Sequence, residues 1–460
     1  MRDETSVFQG ASDIETLLAC GALRGSLAGF AQPGGPDLAR RAQALDDWCA
    51  LRAAHGLWQH ARTLDGAPAP EARVREEGAA PATARHGINF VSTDYLSLAA
   101  HPAVREAGAK ALRDGGPHSA GPAILLGNSH LSLALEAALA ALLRFAHVAL
   151  FPTAWDAACG TITALVQERD YVLIDEEAGA ALQQGASAAT RKVVAHRHLD
   201  TGQVREVLAA IRARDTANGI LVVTEGLFAA DADVPDLPLM QHLCREYGAS
   251  LLVDVSHDLG AFGPAGTGSL GVQAMLGQAD IVVGSLARAC AANGGFVATG
   301  GRALKRQVQL FAGNWRCADA LSPVAAACAL EALRIAAGPE GDTLRVALLK
   351  NALALRAQLA EMGMRCLGLP APIVPVWVGS DEVARLAGRT LARDGVFVDG
   401  AECAHAQPGA ARLRLHVMAG HEAAQLRHGA RLVGAAVAGA AAALGIEPAC
   451  APPGHGRRHR

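Results

Sequence analysis

Three neighbouring segments decide the fold: GILVVTEGLF (219–228), ASLLVDVSHDLGAF (249–262) and ADIVVGSLARACAANGGF (279–296). Each contains a short, largely aliphatic run, namely Ile220–Thr224, Ser250–Val253 and Ile281–Val283. Such runs are too short for helices and are typical of strands buried on both faces of a parallel sheet. Open parallel sheets bind their ligands beyond the carboxyl ends of the strands. We therefore expect any chemistry at the residues that follow each run.

The residues beyond these three strands are polar or charged. Glu225 follows the first strand, Asp254 and His257 follow the second, and Ser285 and Arg288 follow the third. Because parallel strands end at the same edge of a sheet, these five residues are candidates for one functional site. A structural role competes with this interpretation, since Glu225 can equally be a satisfied buried carboxylate and Asp254 can cap the next turn.

The composition describes a globular protein without a bias toward nucleic acid. The chain has 460 residues, 51% hydrophobic and 18% charged, with a formal net charge of −3, so we do not expect general nucleic-acid binding. Ten cysteines occur without a CxxC motif or paired Cys/His spacing, which favours reduced thiols in a cytoplasmic protein over disulfides or metal ligands. The N-terminus lacks the apolar segment of a signal peptide. Leu432–Leu444 is too short to cross a membrane, so we expect no integral membrane segment.

The pattern along the chain predicts an α/β fold with two domains. Residues 1–88 are expected to form an N-terminal helical arm and linker, and strands and helices alternate in a large domain with a mainly parallel sheet over 89–325. Residues 326–446 are expected to form a smaller C-terminal α/β domain, with strand-like runs at Ile373–Val378, Gly395–Val398 and Ala411–Val417. The basic segment 447–460 is expected to be a disordered tail.

A series of motifs occurs in a fixed order: STDYLSLAAHPAV (92–104), GNSHLSLALEAALA (127–140), TEGLFAADAD (224–233), VDVSHDLGAFGPAGTG (253–268), DIVVGSLARACAANGGF (280–296) and RLRLHVMAGH (412–421). In this order they resemble the α-oxoamine synthase family of fold-type I enzymes that use pyridoxal phosphate (PLP). That family includes serine palmitoyltransferase and 8-amino-7-oxononanoate synthase. The resemblance implies a dimeric acyltransferase that joins an acyl thioester to an amino acid with loss of carbon dioxide, with PLP as the electron sink.

The resemblance assigns roles to four residues. Asp254 matches the carboxylate that pairs with the pyridinium nitrogen of PLP, and His257 matches the histidine beside the PLP phenol oxygen. Arg414 matches the arginine that binds the amino-acid carboxylate through a bidentate fork. Arg412 is the near alternative, because alternation along a strand places both arginines on one face. For either residue, a surface strand arginine is the competing interpretation.

Other residues match the part of the family site that holds the cofactor phosphate. There the family begins a helix whose N-terminal amide groups bind the phosphate, a hydroxyl group lies nearby, and paired glycines allow a close approach to the ring. The matching residues are Thr153, Ala154, Trp155, Ser285, Gly294 and Gly295.

The departures from the family concern the reactive groups. The Schiff-base lysine falls at Arg288, and an arginine is protonated at any physiological pH and cannot form the internal aldimine. Lysine occurs only at positions 110, 192, 305 and 350, and none is a plausible substitute. Ser132 stands where the family places a histidine on the PLP ring, and it cannot stack. Further losses of polar groups fall at Ala178–Ala181, Ala229–Ala230 and Ala318–Asp319.

Three functions are compatible with these observations. The first is a non-catalytic α-oxoamine synthase homologue, either a homodimer or paired with a lysine-bearing paralogue, as in the eukaryotic serine palmitoyltransferase heterodimers that it resembles. The second is an active acyltransferase that binds PLP without a covalent link. The third is an anion-binding or interaction protein on the same scaffold. Under the first hypothesis, we expect Arg288 to pair with Asp254 in place of the positive ring nitrogen.

Overall fold

A computed structural model of the protein describes residues 11–400 and 409–447. The chain divides into two units. One runs from Thr93 to Leu349, and the other combines the segments on either side of it, up to Ser92 and from Lys350. The domain limits expected at residues 88, 325 and 446 remain predictions, and the expected tail lies almost entirely outside the described residues.

Strands and helices alternate through most of the described chain. The strands are β1 Thr63–Asp65, β2 Glu71–Arg75, β3 Arg85–Phe90, β4 His147–Phe151, β5 Tyr171–Asp175, β6 Val193–His196, β7 Ile220–Glu225, β8 Ser250–Asp254, β9 Ile281–Ser285, β10 Gly295–Thr299, β11 Ile373–Gly379, β12 Val396–Gly400 and β13 Ala411–His416. The α-helices are α1 Ala11–Ala19, α2 Leu38–Ala54, α3 Pro102–Gly115, α4 His130–Leu143, α5 Ala154–Leu165, α6 Ala180–Ala189, α7 Thr201–Arg212, α8 Leu237–Glu246, α9 Gly268–Val272, α10 Arg302–Phe311, α11 Gly313–Arg316, α12 Pro323–Ala337, α13 Pro339–Glu361, α14 Asp381–Arg393 and α15 Ala423–Leu444.

The unit from Thr93 to Leu349 is built on a seven-stranded sheet with the order β4-β10-β9-β8-β7-β5-β6. Strands β6, β5, β7, β8 and β9 are parallel, whereas β10 runs antiparallel to both of its neighbours. The three strands predicted from the opening segments are β7, β8 and β9, which lie side by side. Every residue of β7 and β9 is buried, which explains their aliphatic composition on both faces. The predicted α/β fold with a mainly parallel sheet is confirmed.

The core of this unit lies between the sheet and the helices α5 and α6. Ile162 of α5 and Leu182 of α6 are buried in one cluster with Phe151, Val223 and Val297 of the strands. Burial of each such side chain contributes about 1.5–3 kcal/mol. This packing positions the N-terminus of α5 close to the first residue of β10.

The other unit contains a six-stranded sheet with the order β1-β2-β3-β12-β13-β11. Its neighbouring strands are antiparallel except β3 and β12, which are parallel. The three strand-like runs predicted near the C-terminus form β11, β12 and β13. At Gly87 a Cβ atom would lie 2.1 Å from the carbonyl oxygen of Gly395, so the close approach of β3 to the turn before β12 requires glycine. No helix in the described part of the chain is both long enough and apolar enough to cross a bilayer.

Candidate functional site

The carboxyl ends of β7, β8 and β9 bring the predicted residues to one edge of the sheet. Glu225 ends β7 directly opposite Asp254 at the end of β8. The amide of Gly226 donates a hydrogen bond to the Asp254 carbonyl at 2.8 Å, which continues the pairing beyond Glu225. Ser285 ends the next strand, β9, two residues beyond the position that pairs with Asp254, so three neighbouring strands end in two carboxylates and a hydroxyl group.

The two carboxylates share an environment that favours their protonated forms. Burial and the neighbouring Asp254 charge hold the pKa of Glu225 well above its usual range. Burial likewise raises the pKa of Asp254, against hydrogen bonds from Ser256 and the charge of Arg288. Glu225 also accepts a hydrogen bond of 2.5 Å from the amide of Gly179. This site for Glu225 is polar and enclosed, which fits the structural role considered for it.

His257 makes a contact through each ring nitrogen. Its Nδ1 lies 2.9 Å from the Tyr95 hydroxyl, and its Nε2 lies 3.2 Å from an Nη atom of Arg288. A guanidinium group can only donate hydrogen bonds, so Nε2 must be the acceptor in this contact. We therefore assign a neutral ring with its proton on Nδ1, which donates to the Tyr95 oxygen.

The Arg288 guanidinium does not reach Asp254 in the way the sequence led us to expect. Its hydrogen bonds go to His257 and to the Thr93 hydroxyl at 3.3 Å, and it acts on Asp254 through its charge. The prediction that Arg288 pairs directly with Asp254 is therefore wrong, since its guanidinium binds His257 and Thr93 instead. The reason is that Arg288 lies three residues beyond the end of β9, in a turn that carries its side chain toward Thr93 and His257.

The turn after β9 is closed by local hydrogen bonds. The Ser285 hydroxyl accepts a bond from the amide of Ala287 at 3.1 Å, and the amide of Leu286 donates to the Gly294 carbonyl at 2.9 Å. Gly294 has a φ of 141°, a backbone conformation that favours glycine. These bonds fix the turn from which Arg288 projects.

The N-terminus of α5 lies against the start of β10. Thr153 is its N-cap, with a hydroxyl that accepts from the Asp156 amide at 3.0 Å and donates to the Asp156 carboxylate at 2.6 Å. A Cβ atom on Gly295 would lie 2.5 Å from the Thr153 carbonyl oxygen. Ala154 and Trp155 form the first turn, and Trp155 is 48% exposed. The residues predicted for the phosphate end thus lie where β9, β10 and α5 meet.

Ser132 has a structural environment. It forms a reciprocal cap with Ser129 at the start of α4, in which each side chain accepts from the other residue's amide. Lys305, the lysine nearest in sequence to Arg288, makes an ion pair of 2.7 Å with Glu136. The role of Ser132 toward a cofactor remains a prediction.

Arg412 and Arg414 belong to the other unit. They alternate with buried residues on β13, on one face as predicted. Arg414 makes an ion pair of 2.6 Å with Asp399. Burial would raise the pKa of Asp399, but His416 and Arg414 outweigh it and lower that pKa to about 2. The guanidinium of Arg412 lies 5.7 Å from the Trp377 ring centroid, and the role of either arginine in binding substrate remains a prediction.

A charged network that the sequence analysis missed joins Asp175 at the end of β5, His198 just after β6 and Asp233 in the segment after β7. The side chain of His198 is 4% exposed, and its ring nitrogens lie 2.8 Å from Asp175 and 3.1 Å from Asp233. Burial by itself would lower the pKa of His198, but the hydrogen bonds that its ring donates to these two carboxylates, and their charges, raise it to about 10. The available signal was the position of Asp175 at the end of a strand that neighbours β7.

The chain matches the family described as Aminotransferase class I and II over residues 85–433. It is 31% identical over 371 residues to an 8-amino-7-oxononanoate synthase of Geobacter sulfurreducens, covering 81% of this chain and 92% of the relative. It is 35% identical over 342 residues to an 8-amino-7-oxononanoate synthase of Anaeromyxobacter dehalogenans, covering 74% of this chain and 83% of the relative.

Solved structures show the same fold. A serine palmitoyltransferase from S. paucimobilis, solved with a bound PLP–myriocin aldimine, is similar with a TM-score of 0.81 and 26% identity, covering 88% of this chain and 100% of that chain. An 8-amino-7-oxononanoate synthase from Francisella tularensis is similar with a TM-score of 0.64 and 18% identity, covering 76% of this chain and 97% of that chain. The second likeness concerns the fold alone.

Proposed function

The chain belongs to the aminotransferase class I and II family and, within it, to the α-oxoamine synthases, and from this premise we propose that it is a non-catalytic member. The observation that carries the proposal is the position of Arg288. It lies just beyond β9, where the family resemblance places the reactive lysine, and its guanidinium donates to His257 at 3.2 Å. A guanidinium cannot lose its proton at physiological pH to act as an amine nucleophile.

The family binds PLP, so we compared the residues present with what that cofactor requires. Asp254 offers a carboxylate for the pyridinium nitrogen, and the N-terminus of α5 offers amide groups for the phosphate. The covalent anchor does not fit. Within the unit that carries Arg288, each lysine side chain already has a polar partner: Asp114 for Lys110, Arg169 and Asp215 for Lys192, and Glu136 for Lys305.

The contact between Arg288 and His257 also occupies the histidine. With Nε2 accepting from the guanidinium and Nδ1 donating to Tyr95, both ring nitrogens already have hydrogen-bond partners within the chain. We infer that the two groups nearest the missing amine hold each other in place. This supports a role in which the chain completes or regulates another subunit, and a lysine-bearing paralogue or a second copy of this chain is the partner proposed.

The proposal is tested by adding PLP to the purified full chain and recording visible absorbance, with Arg288→Lys beside wild type. We expect no internal-aldimine band in wild type and a band in Arg288→Lys that borohydride fixes onto residue 288. Arg302→Lys, an exposed arginine on α10, is the matched control and should stay colourless. A borohydride-reducible adduct on any lysine of the wild-type chain would overturn the proposal.

An acyltransferase that holds PLP non-covalently is the second candidate, and the presence of Asp254 and His257 in one site favours it. It predicts a visible band in wild type only when PLP and an amino acid are added together, with carbon dioxide released once an acyl thioester is supplied. The third candidate, an anion-binding protein, is favoured by the buried Nε of Arg288, which has no hydrogen-bond partner in the described structure. It predicts that Arg288→Lys also fails to take up PLP.

A further inference from the structure

A cavity of about 480 Å³ lies in the unit that contains β1–β3 and α14, apart from the residues discussed above. One wall comes from α2 and the end of β2, and the other comes from α14 and the start of β3. Its charged lining consists of three acids and three arginines, so the lining is neutral overall. These residues are Asp46, Glu76, Glu77, Arg85, Arg389 and Arg393.

The arginine wall is built on a stripe along α14. Arg385, Arg389 and Arg393 follow one another at intervals of four and therefore lie on one face of the helix. Arg385 donates to the carbonyl oxygens of Leu23 and Gly25 at 2.5 and 2.6 Å. The other two arginines line the cavity. Like charges at this spacing repel, so the stripe requires compensation by anions.

That compensation is incomplete at the cavity. Arg389 is 5% exposed and donates through Nη2 to Asp13. Its buried Nη1 has no hydrogen-bond partner in the described part of the chain. Arg393 lies at the exposed end of the stripe, and the structure gives it no hydrogen bond or ion pair with a described residue. Partial burial and the charges of Arg389 and Arg85 lower the pKa of Arg393 from its ordinary value, and the charges of Asp13 and Asp394 offset this only in part. An oxyanion at this wall would satisfy these donors.

The acidic wall has the complementary property. Glu77 accepts a hydrogen bond of 2.8 Å from the Trp58 indole, and Glu76 makes an ion pair of 3.0 Å with Arg62. A carboxylate accepts more than one hydrogen bond, so both acids keep free acceptor capacity toward the cavity. Asp46 is exposed on α2. The Trp58 ring lies among the cavity residues and offers an aromatic surface to a cation.

From these walls we infer that the cavity is a binding site for a small zwitterion with a carboxylate at one end and an ammonium group at the other. The carboxylate binds Arg389 and Arg393, which offer a fork of donors. The ammonium group binds Glu77 beside Trp58. A purely anionic ligand is disfavoured because the acidic wall repels it, and a purely cationic ligand is disfavoured by the arginines.

The test is calorimetric titration of the full chain with ω-amino acids of increasing length, from glycine to 6-aminohexanoate. Each is compared with the alkyl carboxylate and the alkyl amine of the same length. We expect one length to bind about tenfold tighter than either half-molecule, because each end contributes a charged hydrogen bond. Arg393→Gln should weaken that ligand about tenfold, and Glu77→Gln should reduce it to the affinity of the alkyl carboxylate.

Arg427→Gln is the matched control, since Arg427 is an exposed arginine of the same unit that does not line the cavity. It should bind like wild type. The inference is overturned if no ω-amino acid binds better than its half-molecules, or if Arg393→Gln binds as tightly as wild type. The PLP experiment concerns residues of the other unit, so its result does not decide this one.

Discussion

Two histidines at the same edge of the seven-stranded sheet have opposite protonation states. His198 lies between the carboxylates of Asp175 and Asp233, which raise its pKa to about 10 and keep it an imidazolium. His257 lies between a hydroxyl and the Arg288 guanidinium, which makes its Nε2 an acceptor and its ring neutral. The comparison teaches that the partners, rather than the burial of the ring, decide the charge.

The two networks also differ in how firmly they are held. The first contains a buried cation with two anionic partners, so the loss of the cation leaves carboxylates that face each other without compensation. The second is partly exposed and joins neutral and cationic donors. We therefore expect the His198 network to support the fold and the His257 network to be the more tolerant of change.

Replacing each histidine in turn should give the largest difference in the free energy of unfolding between the two networks. We expect His198→Gln to lower the free energy of unfolding by about 3–5 kcal/mol, because Asp175 and Asp233 lose their cation in a buried site. His257→Gln should cost about 1 kcal/mol, the value of one ordinary hydrogen bond. Urea unfolding followed by fluorescence measures both, and equal losses would contradict the comparison. His242→Gln, on the exposed face of α8, is the control.

The next largest effect should be the dependence of stability on pH, which follows from the charge of His198. Its pKa rises from 6.5 in the unfolded chain to about 10 in the fold, so the folded state binds the extra proton. The stability it contributes is complete below pH 6.5 and is lost as the pH rises toward 10. Between pH 7 and 9 we expect wild type to lose about 1.4 kcal/mol per pH unit more than His198→Gln does. Parallel pH profiles of the two proteins would show that His198 is neutral in the fold.

At the junction of α5 with β10, near the second network, the addition of a single methyl group should lower the stability of the fold. Gly295→Ala would place a Cβ atom 2.5 Å from the Thr153 carbonyl oxygen, and we expect a loss of about 1–3 kcal/mol from overpacking. Gly300→Ala at the other end of β10 is the control, since nothing lies within 4 Å of its Cβ position. Thermal unfolding of the two variants separates them, and equal midpoints would show that α5 moves away without cost.

The smallest expected effect on stability concerns the tautomer of His257. It is also the most direct test of whether His257 and His198 differ in protonation. In protein labelled with ¹⁵N-histidine, we expect the signal of a neutral ring protonated at Nδ1, whereas His198 should show two protonated nitrogens. Arg288→Leu removes the donor at Nε2 and should release the ring to the other tautomer, with a change of about 1 kcal/mol or less in stability. A wild-type signal with the proton on Nε2 would exclude the assigned contact with Arg288.

The sequence by itself determined the strands and the residues at their ends. Aliphatic runs of three to five residues are typical of strands buried in a parallel sheet, and parallel strands end at one edge. That reasoning placed Glu225, Asp254 and Ser285 together, and the order of the motifs led to the family that the comparisons support.

Only the tertiary structure decided which of these residues touch. Arg288 reaches His257 rather than Asp254 because a closed turn of several residues sets the direction of its side chain. His198 is a buried cation because the fold places it between Asp175 and Asp233. The three residues come from segments more than 20 residues apart, so the sequence does not show that they meet. The spacing of the arginines on α14 is visible in the sequence, but the cavity that Arg389 and Arg393 line exists only because α2 supplies part of its opposite wall. Local periodicity encodes which face a residue occupies, whereas contacts between distant segments depend on how the elements pack.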